Sequence, residues 1–151
     1  MLSNGVSVER IIAATPEKVF ALISDPARHR DIDGSGTVRD AVSSGGPKLG
    51  LGSQFGMNMK AGAPYRMVNT VVEFEQDRRI AWQTRPDMGW AGKLIGGRIW
   101  RFELVPAPGG TLVRETWDIS QERLPALVWP LRGMTRKGMQ RTLDRIAELV
   151  A

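Results

Sequence analysis

The sequence predicts an α+β protein in which one curved antiparallel sheet wraps around a long C-terminal helix. From about Val38 to Ile119, apolar and polar residues alternate in short segments that are separated by glycine and proline turns. This pattern is typical of strands with one buried face. A helical pattern follows from about Leu124 to Ala151. A sheet of this kind can enclose an apolar hollow between its concave face and the helix.

The N-terminal part predicts one strand and two short helices. Val6–Ala13 alternates as a strand does. Thr15-Pro16 supplies an N-cap hydroxyl and a proline for the first turn of a helix that ends near Ser24. Asp25-Pro26 then starts a second short helix, which runs to about Arg30.

Six further strands are predicted, with bounds at about 37–44, 53–60, 65–75, 80–84, 98–104 and 111–119. In the third of these, the alternation places Val68, Thr70, Val72 and Phe74 on one face. The loop Pro86–Gly97 carries four glycines and an internal Trp90. The C-terminal helix has a proline-interrupted start and two contrasting sides. Its apolar side comprises Leu131, Thr135, Met139, Leu143, Ile146, Ala147 and Val150, and its basic side Arg132, Arg136, Lys137, Arg141 and Arg145.

Composition narrows the classes of function. At 151 residues the chain has the size of one domain, and the lack of cysteine excludes disulfides, thiolate metal sites and cysteine nucleophiles. No signal-peptide pattern or membrane-length apolar run is visible, so a cytoplasmic location is expected. The net charge is +5, but no nucleic-acid-binding motif is present. We therefore interpret the charge as a solvated surface and expect no nucleic-acid partner; the oligomeric state is left open.

Four segments give the sequence a resemblance to a known superfamily: VERIIAATPEKV (8–19), FALISDP (20–26), VEFEQDRRIAW (72–82) and TLVRETWDI (111–119). They resemble the START-like or birch-pollen-allergen-like superfamily, often called SRPBCC, and within it the polyketide cyclase/dehydrase-type branch. The resemblance implies a helix-grip fold, with seven antiparallel strands gripping the last helix, and one ligand-binding domain over residues 1–151. It also implies a cavity whose mouth is framed by Lys60–Tyr65, Pro86–Gly97 and Gln121–Pro125. No cofactor or metal is expected.

Apolar side chains with the right alternation are candidates for the wall of this cavity. They are Phe55, Met57, Met59, Trp82, Trp100, Phe102, Trp117, Met134 and Met139. Thioether and indole groups suit a flat or flexible apolar ligand, although such residues also fill ordinary cores. Trp90 lies in a loop, so neither strand nor helix periodicity explains a tryptophan at this position. It is interpreted as a lid over the ligand, a membrane or partner contact, or a side chain folded onto the domain.

Polar candidates are few. Glu115 shares a strand face with Val113 and Trp117, and Arg98 is a plausible partner for it across the sheet. The two form either an ion pair at the rim or polar anchors for a ligand, with Asn58 and Tyr65 as further anchors. Alternatively, Glu115 or Tyr65 moves protons as a catalytic residue.

His29 is the only histidine of the chain. It is expected in a solvated cluster of charges with Arg28, Arg30, Asp31 and Asp33. A catalytic role is a weaker alternative, and the two arginines argue against a metal site at this histidine and the two aspartates.

Three hypotheses of function follow. The first is a protein that binds a small apolar or amphipathic molecule, such as a lipid, polyketide or quinone, between the sheet and the last helix. The second is a cyclase or dehydratase for polyketide-like substrates in the same cavity. The third is an interaction module whose basic helix face meets acidic lipid, as a peripheral membrane contact, or a protein partner.

Overall fold

The computed structural model describes residues 5–34, 38–43, 49–61, 63–88, 90 and 96–150. The predicted α+β class, with an antiparallel sheet and a long C-terminal helix, is confirmed. The strands are β1 (Gly5–Ile12), β2 (Val38–Ser43), β3 (Gln54–Ala61), β4 (Ala63–Glu75), β5 (Arg79–Pro86), β6 (Arg98–Ala107) and β7 (Gly110–Asp118). They form one sheet in the order β1-β7-β6-β5-β4-β3-β2. Because β1 pairs with β7, the N-terminal strand joins the sheet beside its last strand.

Two short helices follow β1, as predicted. Helix α1 (Pro16–Ile23) begins after Thr15, whose hydroxyl oxygen accepts a hydrogen bond from the Lys18 backbone N–H at 3.3 Å. A 3₁₀ turn (Pro26–Arg28) leads into α2 (His29–Ile32). The buried side of α1, formed by Val19, Phe20, Leu22 and Ile23, joins the main core.

The C-terminal segment is divided by Pro130, as the sequence predicts. A short helix α3 (Pro125–Val128) and a 3₁₀ turn (Trp129–Leu131) precede the long helix α4 (Arg132–Val150). Helix α4 packs against β1, β7, α1 and α2. Its buried residues are Gly138, Met139, Thr142, Leu143, Ile146 and Val150. These contacts hold the second half of α4 in the core, while its first turns lie at the edge of the sheet's inner face.

The alternation predicted for β4 is wrong in its second half because of a β-bulge. The pairing with β5 shifts register between Val71 and Glu73. Val71 is buried, whereas Val72 is 38% exposed. After the bulge Phe74 returns to the inner side, where its ring meets Phe20 edge-on. One extra residue therefore exchanges the two faces of the strand.

The outer face of the sheet carries several ion pairs. Arg101 alternates with the inward-facing Phe102 and donates to Glu73 Oε2 at 2.6 Å; its guanidinium also lies 3.4 Å from Asp118. The hydrogen bond from Arg101 is the main cause that lowers the pKa of Glu73. The buried apolar residues of the main core lie mostly on the opposite, inner face.

Candidate ligand-binding cavity

A cavity of about 310 Å³ lies between the inner face of the sheet and helices α2 and α4. Its sheet side is formed mainly by methionine and aromatic side chains, and its helix side by residues of α2 and the first half of α4. The wall comprises His29, Ile32, Asp33, Met57, Met59, Tyr65, Met67, Asn69, Trp82, Thr84, Arg98, Trp100, Phe102, Glu115, Leu131, Met134, Thr135, Gly138, Met139, Arg141 and Thr142. Its volume is at the lower end of the range that is usual for small-molecule sites, about 300–1,000 Å³.

Most of the residues predicted for the wall lie on it. They are Met57, Met59, Tyr65, Trp82, Arg98, Trp100, Phe102, Glu115, Met134 and Met139. Phe55 and Trp117 are instead buried in the core behind the wall. Asn58 points to the outer, exposed side of β3, because it alternates with Met57. Whether any of these residues binds a ligand stays a prediction.

Trp90 is 76% exposed and is not among the wall residues. The loop Pro86–Gly97 that carries it lies partly outside the described residues, as does the turn Lys60–Tyr65. The role of Trp90 as a lid or contact therefore remains a prediction. Gln121–Pro125 is described, but none of its residues lines the cavity; at the start of α4, Leu131 and Met134 combine exposure with a place on the cavity wall.

An aromatic cluster forms one end of the wall. The Trp82 ring has its centroid 5.0 Å from that of His29, in a stacked arrangement, and 5.8 Å from that of Phe102. Phe55 meets both His29 and Trp82 edge-on from behind. Such ring contacts stabilise the cluster beyond the burial of apolar area. The result is a closely packed apolar surface across β5 and β6.

The predicted solvated position of His29 is wrong. Instead of lying in a solvated cluster of charges, it is 3% exposed and lines the cavity. Its Nε2 lies 2.8 Å from the Ile23 carbonyl oxygen, which can only accept, so the neutral ring carries its proton there. Burial lowers the pKa of His29 from 6.5 to about 4. The three-residue spacing of His29 and Ile32, both buried, is the sequence signal that could have revealed an inward face.

Glu115 lies on the cavity wall as predicted, but its expected ion pair with Arg98 is wrong. In the β6–β7 register Glu115 is opposite Phe102, which is four residues from Arg98. That separation is about 13 Å along a strand, too far for an ion pair. Arg98 instead lies 3.5 Å from Glu122, which the sequence did not single out.

Without a cation beside it, the Glu115 carboxyl is strongly perturbed. Glu115 is 4% exposed, and its Oε2 has no hydrogen-bond partner among the described residues. Desolvation by burial, followed by repulsion from the Asp33 carboxylate, raises the pKa of Glu115 well above its usual value. Both effects therefore favour the neutral carboxylic acid.

Several wall residues were missed in the sequence. Met67 and Asn69 lie on the inner face of β4 before the β-bulge, and Thr84 lies opposite Asn69 on β5. The Thr84 hydroxyl donates to the Asn69 side-chain oxygen at 2.6 Å. These two polar groups therefore satisfy each other, and they line the wall without presenting an unpaired charge.

The described part of the chain contains no group of three or more acidic or histidine side chains arranged to hold a metal ion. Among its helices, none is both long and apolar enough to cross a bilayer. The basic residues predicted for α4, namely Arg132, Arg136, Lys137, Arg141 and Arg145, are exposed. Their role as an interaction surface stays a prediction.

Comparisons with known proteins agree with this architecture. The sequence model of the family described as "Polyketide cyclase / dehydrase and lipid transport" matches residues 4–151. The protein Rv0088 of Mycobacterium tuberculosis is 36% identical over 108 residues, which are 71% of this chain. They are only 44% of Rv0088, so the match spans less than half the length of that relative.

Solved structures share the fold at low sequence identity. The protein Ms6760 from Mycobacterium smegmatis has a TM-score of 0.72 at 12% identity, with 97% of this chain and 90% of that chain covered. An AHSA1-like protein from Aeromonas hydrophila has a TM-score of 0.63 at 22% identity, with 95% and 89% covered. At these identities the likeness shows the fold alone.

Proposed function

This chain belongs to the polyketide cyclase/dehydrase and lipid transport family of the SRPBCC superfamily, and from that premise we propose that it binds a small apolar or amphipathic molecule. The ligand, such as a lipid, polyketide or quinone, would occupy the cavity between the sheet and α4. In this proposal the sheet grips the helix around the ligand, as in a helix-grip fold, and the chain acts as a single ligand-binding domain.

The observation that carries the proposal is a cavity of about 310 Å³ whose wall combines apolar side chains with a few polar groups. Methionines on β3, β4 and α4 can adapt to an irregular ligand, whereas the ring cluster at Trp82 offers aromatic contacts. Affinity would come from burial of apolar area, and the polar groups would fix the ligand's orientation.

Filling the cavity should abolish binding. Thr135 is half-buried on α4 and lines the cavity, so Thr135→Trp places an indole in the space that the ligand needs. We expect native mass spectrometry of protein purified without delipidation to show a bound small molecule in the wild type and none in this variant.

Gln140→Trp is the matched control, because Gln140 is exposed on the same helix and does not line the cavity. It should retain the bound molecule. Wild-type protein that carries no molecule, either as purified or after incubation with aminoanthracene, would contradict the proposal.

Cyclisation or dehydration of a polyketide-like substrate is a second candidate, favoured by the protonation state of Glu115. A neutral buried carboxylic acid can give its proton to a leaving hydroxyl group. Tyr65, which is 43% exposed on the wall, is the other candidate proton donor. In this case the cavity would fold the substrate, and Glu115 would be catalytic.

Glu115→Gln separates a catalytic role from binding alone. The folded state holds the Glu115 proton more tightly than the unfolded chain does, whose carboxyl has the ordinary pKa of 4.5. The free energy of unfolding of the wild type therefore falls as the pH rises above about 4.5. The variant should therefore melt at a higher temperature than the wild type at pH 8, with the difference shrinking toward pH 4.5. If Glu115 is catalytic, the variant loses turnover of the bound molecule despite its higher melting temperature. Unchanged turnover would remove Glu115 from the chemistry.

A further inference from the structure

We propose that the cavity selects uncharged ring compounds that present a hydroxyl group to His29 and a carbonyl group to Glu115. This inference rests on the proposed ligand-binding function and adds the chemical class of the ligand to it. It is drawn from two buried polar groups on the cavity wall that the protein itself leaves without partners.

Unpaired buried polar atoms are rare in folded proteins and call for an explanation. Within the described residues, those on the cavity wall are His29 Nδ1, Arg98 Nε and Glu115 Oε2. Arg98 Nε has a counter-ion, because Glu122 Oε2 lies 3.5 Å away. His29 and Glu115 have no such partner for these atoms. A ligand in the cavity is the natural source of the missing hydrogen bonds.

His29 offers an acceptor. Its Nε2–H is used by the Ile23 carbonyl at 2.8 Å, which fixes the tautomer and leaves a lone pair on Nδ1. Burial keeps this ring neutral, because desolvation lowers its pKa to about 4. A neutral Nδ1 accepts a hydrogen bond, so the complementary group on a ligand is a donor such as a hydroxyl.

Glu115 offers a donor. Its carboxyl lies opposite Phe102 on the neighbouring strand, with no cation within ion-pair distance among the described residues. Desolvation, followed by the Asp33 carboxylate, raises its pKa and so favours the protonated form. A protonated carboxyl presents an O–H, and a carbonyl oxygen is the complementary acceptor.

The surface between these two groups is apolar. His29 stacks on Trp82 of β5, and Glu115 belongs to β7, so two strand spacings, or about 10 Å, separate Trp82 from Glu115 across the sheet. The rings of Trp82 and Phe102 line this stretch, with centroids 5.8 Å apart and planes tilted by 38°. A compound of two or three fused rings matches this length and can contact both rings.

Charge on the ligand is disfavoured at this position. The charged side chains on the wall are Asp33, Arg98 and Arg141; Arg98 is balanced by Glu122, and Arg141 is exposed at the rim. An anionic ligand between His29 and Glu115 would be repelled by the Asp33 carboxylate. Among the described wall residues, no buried cationic side chain would balance the ligand's charge. An uncharged ligand avoids this cost.

Four compounds of nearly equal shape test the proposal: fluorene, hydroxyfluorene, fluorenone, and hydroxyfluorenone, each hydroxyl on an outer ring. We expect hydroxyfluorenone to bind the wild-type protein most tightly in a calorimetric titration. Removal of the hydroxyl or of the carbonyl should each weaken binding about tenfold, the loss of one well-placed hydrogen bond.

Three variants assign these losses to residues. His29→Phe keeps a ring against Trp82 but removes the acceptor, so it should bind fluorenone and hydroxyfluorenone equally. Glu115→Met removes the donor and should no longer distinguish hydroxyfluorene from hydroxyfluorenone. Glu115→Gln retains an N–H donor and should restore that distinction, which a merely structural role for Glu115 would not do.

The outcomes separate this inference from the function on which it rests. Equal affinity of the wild type for all four compounds would overturn the inference and leave cavity binding intact. Binding of none of them would count against both. The comparison within the wild-type protein decides the question even where a variant fails to fold.

Discussion

Trp82→Ala is expected to destabilise the protein by about 3–5 kcal/mol, the usual range for removing a buried aromatic side chain. Trp82 is 6% exposed and contacts the rings of His29, Phe55 and Phe102. The substitution therefore removes the ring contacts of all three side chains. For a domain of 151 residues this corresponds to a fall in melting temperature of roughly 10 °C, measured by calorimetry or circular dichroism.

Trp90→Ala provides the matched control, because it also removes an indole but at a position that is 76% exposed. Its free energy of unfolding should change by no more than about 0.5 kcal/mol. A loss below about 1 kcal/mol in Trp82→Ala, or equal losses in the two variants, would show that the ring cluster does not stabilise the inner face of the sheet.

Acid is expected to destabilise the protein through His29. The pKa of this side chain is about 4 in the folded protein and 6.5 in its ordinary state, because burial opposes the charged ring. The unfolded chain therefore binds the proton first as the pH falls. The stability from the neutral ring is complete above pH 6.5 and is lost between about pH 6.5 and pH 4, a change of about 3 kcal/mol.

The measurement is the free energy of unfolding in urea at several pH values, for the wild type and for His29→Gln. Because the chain has one histidine, the difference between the two proteins isolates this titration from those of the carboxyl groups. The free energy of unfolding of the wild type, relative to that of His29→Gln, should decrease as the pH falls from about 6.5 to about 4. A difference that is independent of pH would contradict the burial of a neutral His29.

Much of the fold could be predicted because its signals are local. Thr15-Pro16 and Asp25-Pro26 define the starts of the first two helices, and Pro130 interrupts the last one. The alternation along β6 and β7 places Phe102 and Glu115 on the inner face, and both line the cavity. The β-bulge at Val71–Glu73 could not be foreseen, because it exchanges the faces of β4 without a glycine or proline to mark it.

The cavity residues were harder to predict, because their partners depend on register and burial. Arg98 and Glu115 share a face, but the strand register places them far apart, and Arg98 forms its ion pair with Glu122 instead. His29 lies among charged neighbours in the sequence, yet one turn of helix directs it onto Trp82. Phe55 and Trp117 have the same alternation as the wall residues and differ only in depth. Periodicity identifies a face of the sheet but not which of its side chains border empty space.

The central claim is that the space between the sheet and α4 accepts a guest molecule. A fluorescence titration with aminoanthracene, an uncharged apolar probe, tests it most directly in the wild type, Thr135→Trp and Gln140→Trp. We predict saturable binding at one site in the wild type and in Gln140→Trp, with affinity reduced at least about tenfold in Thr135→Trp, equivalent to about 1.4 kcal/mol. Equal binding by all three proteins, or no binding by the wild type, would contradict the claim.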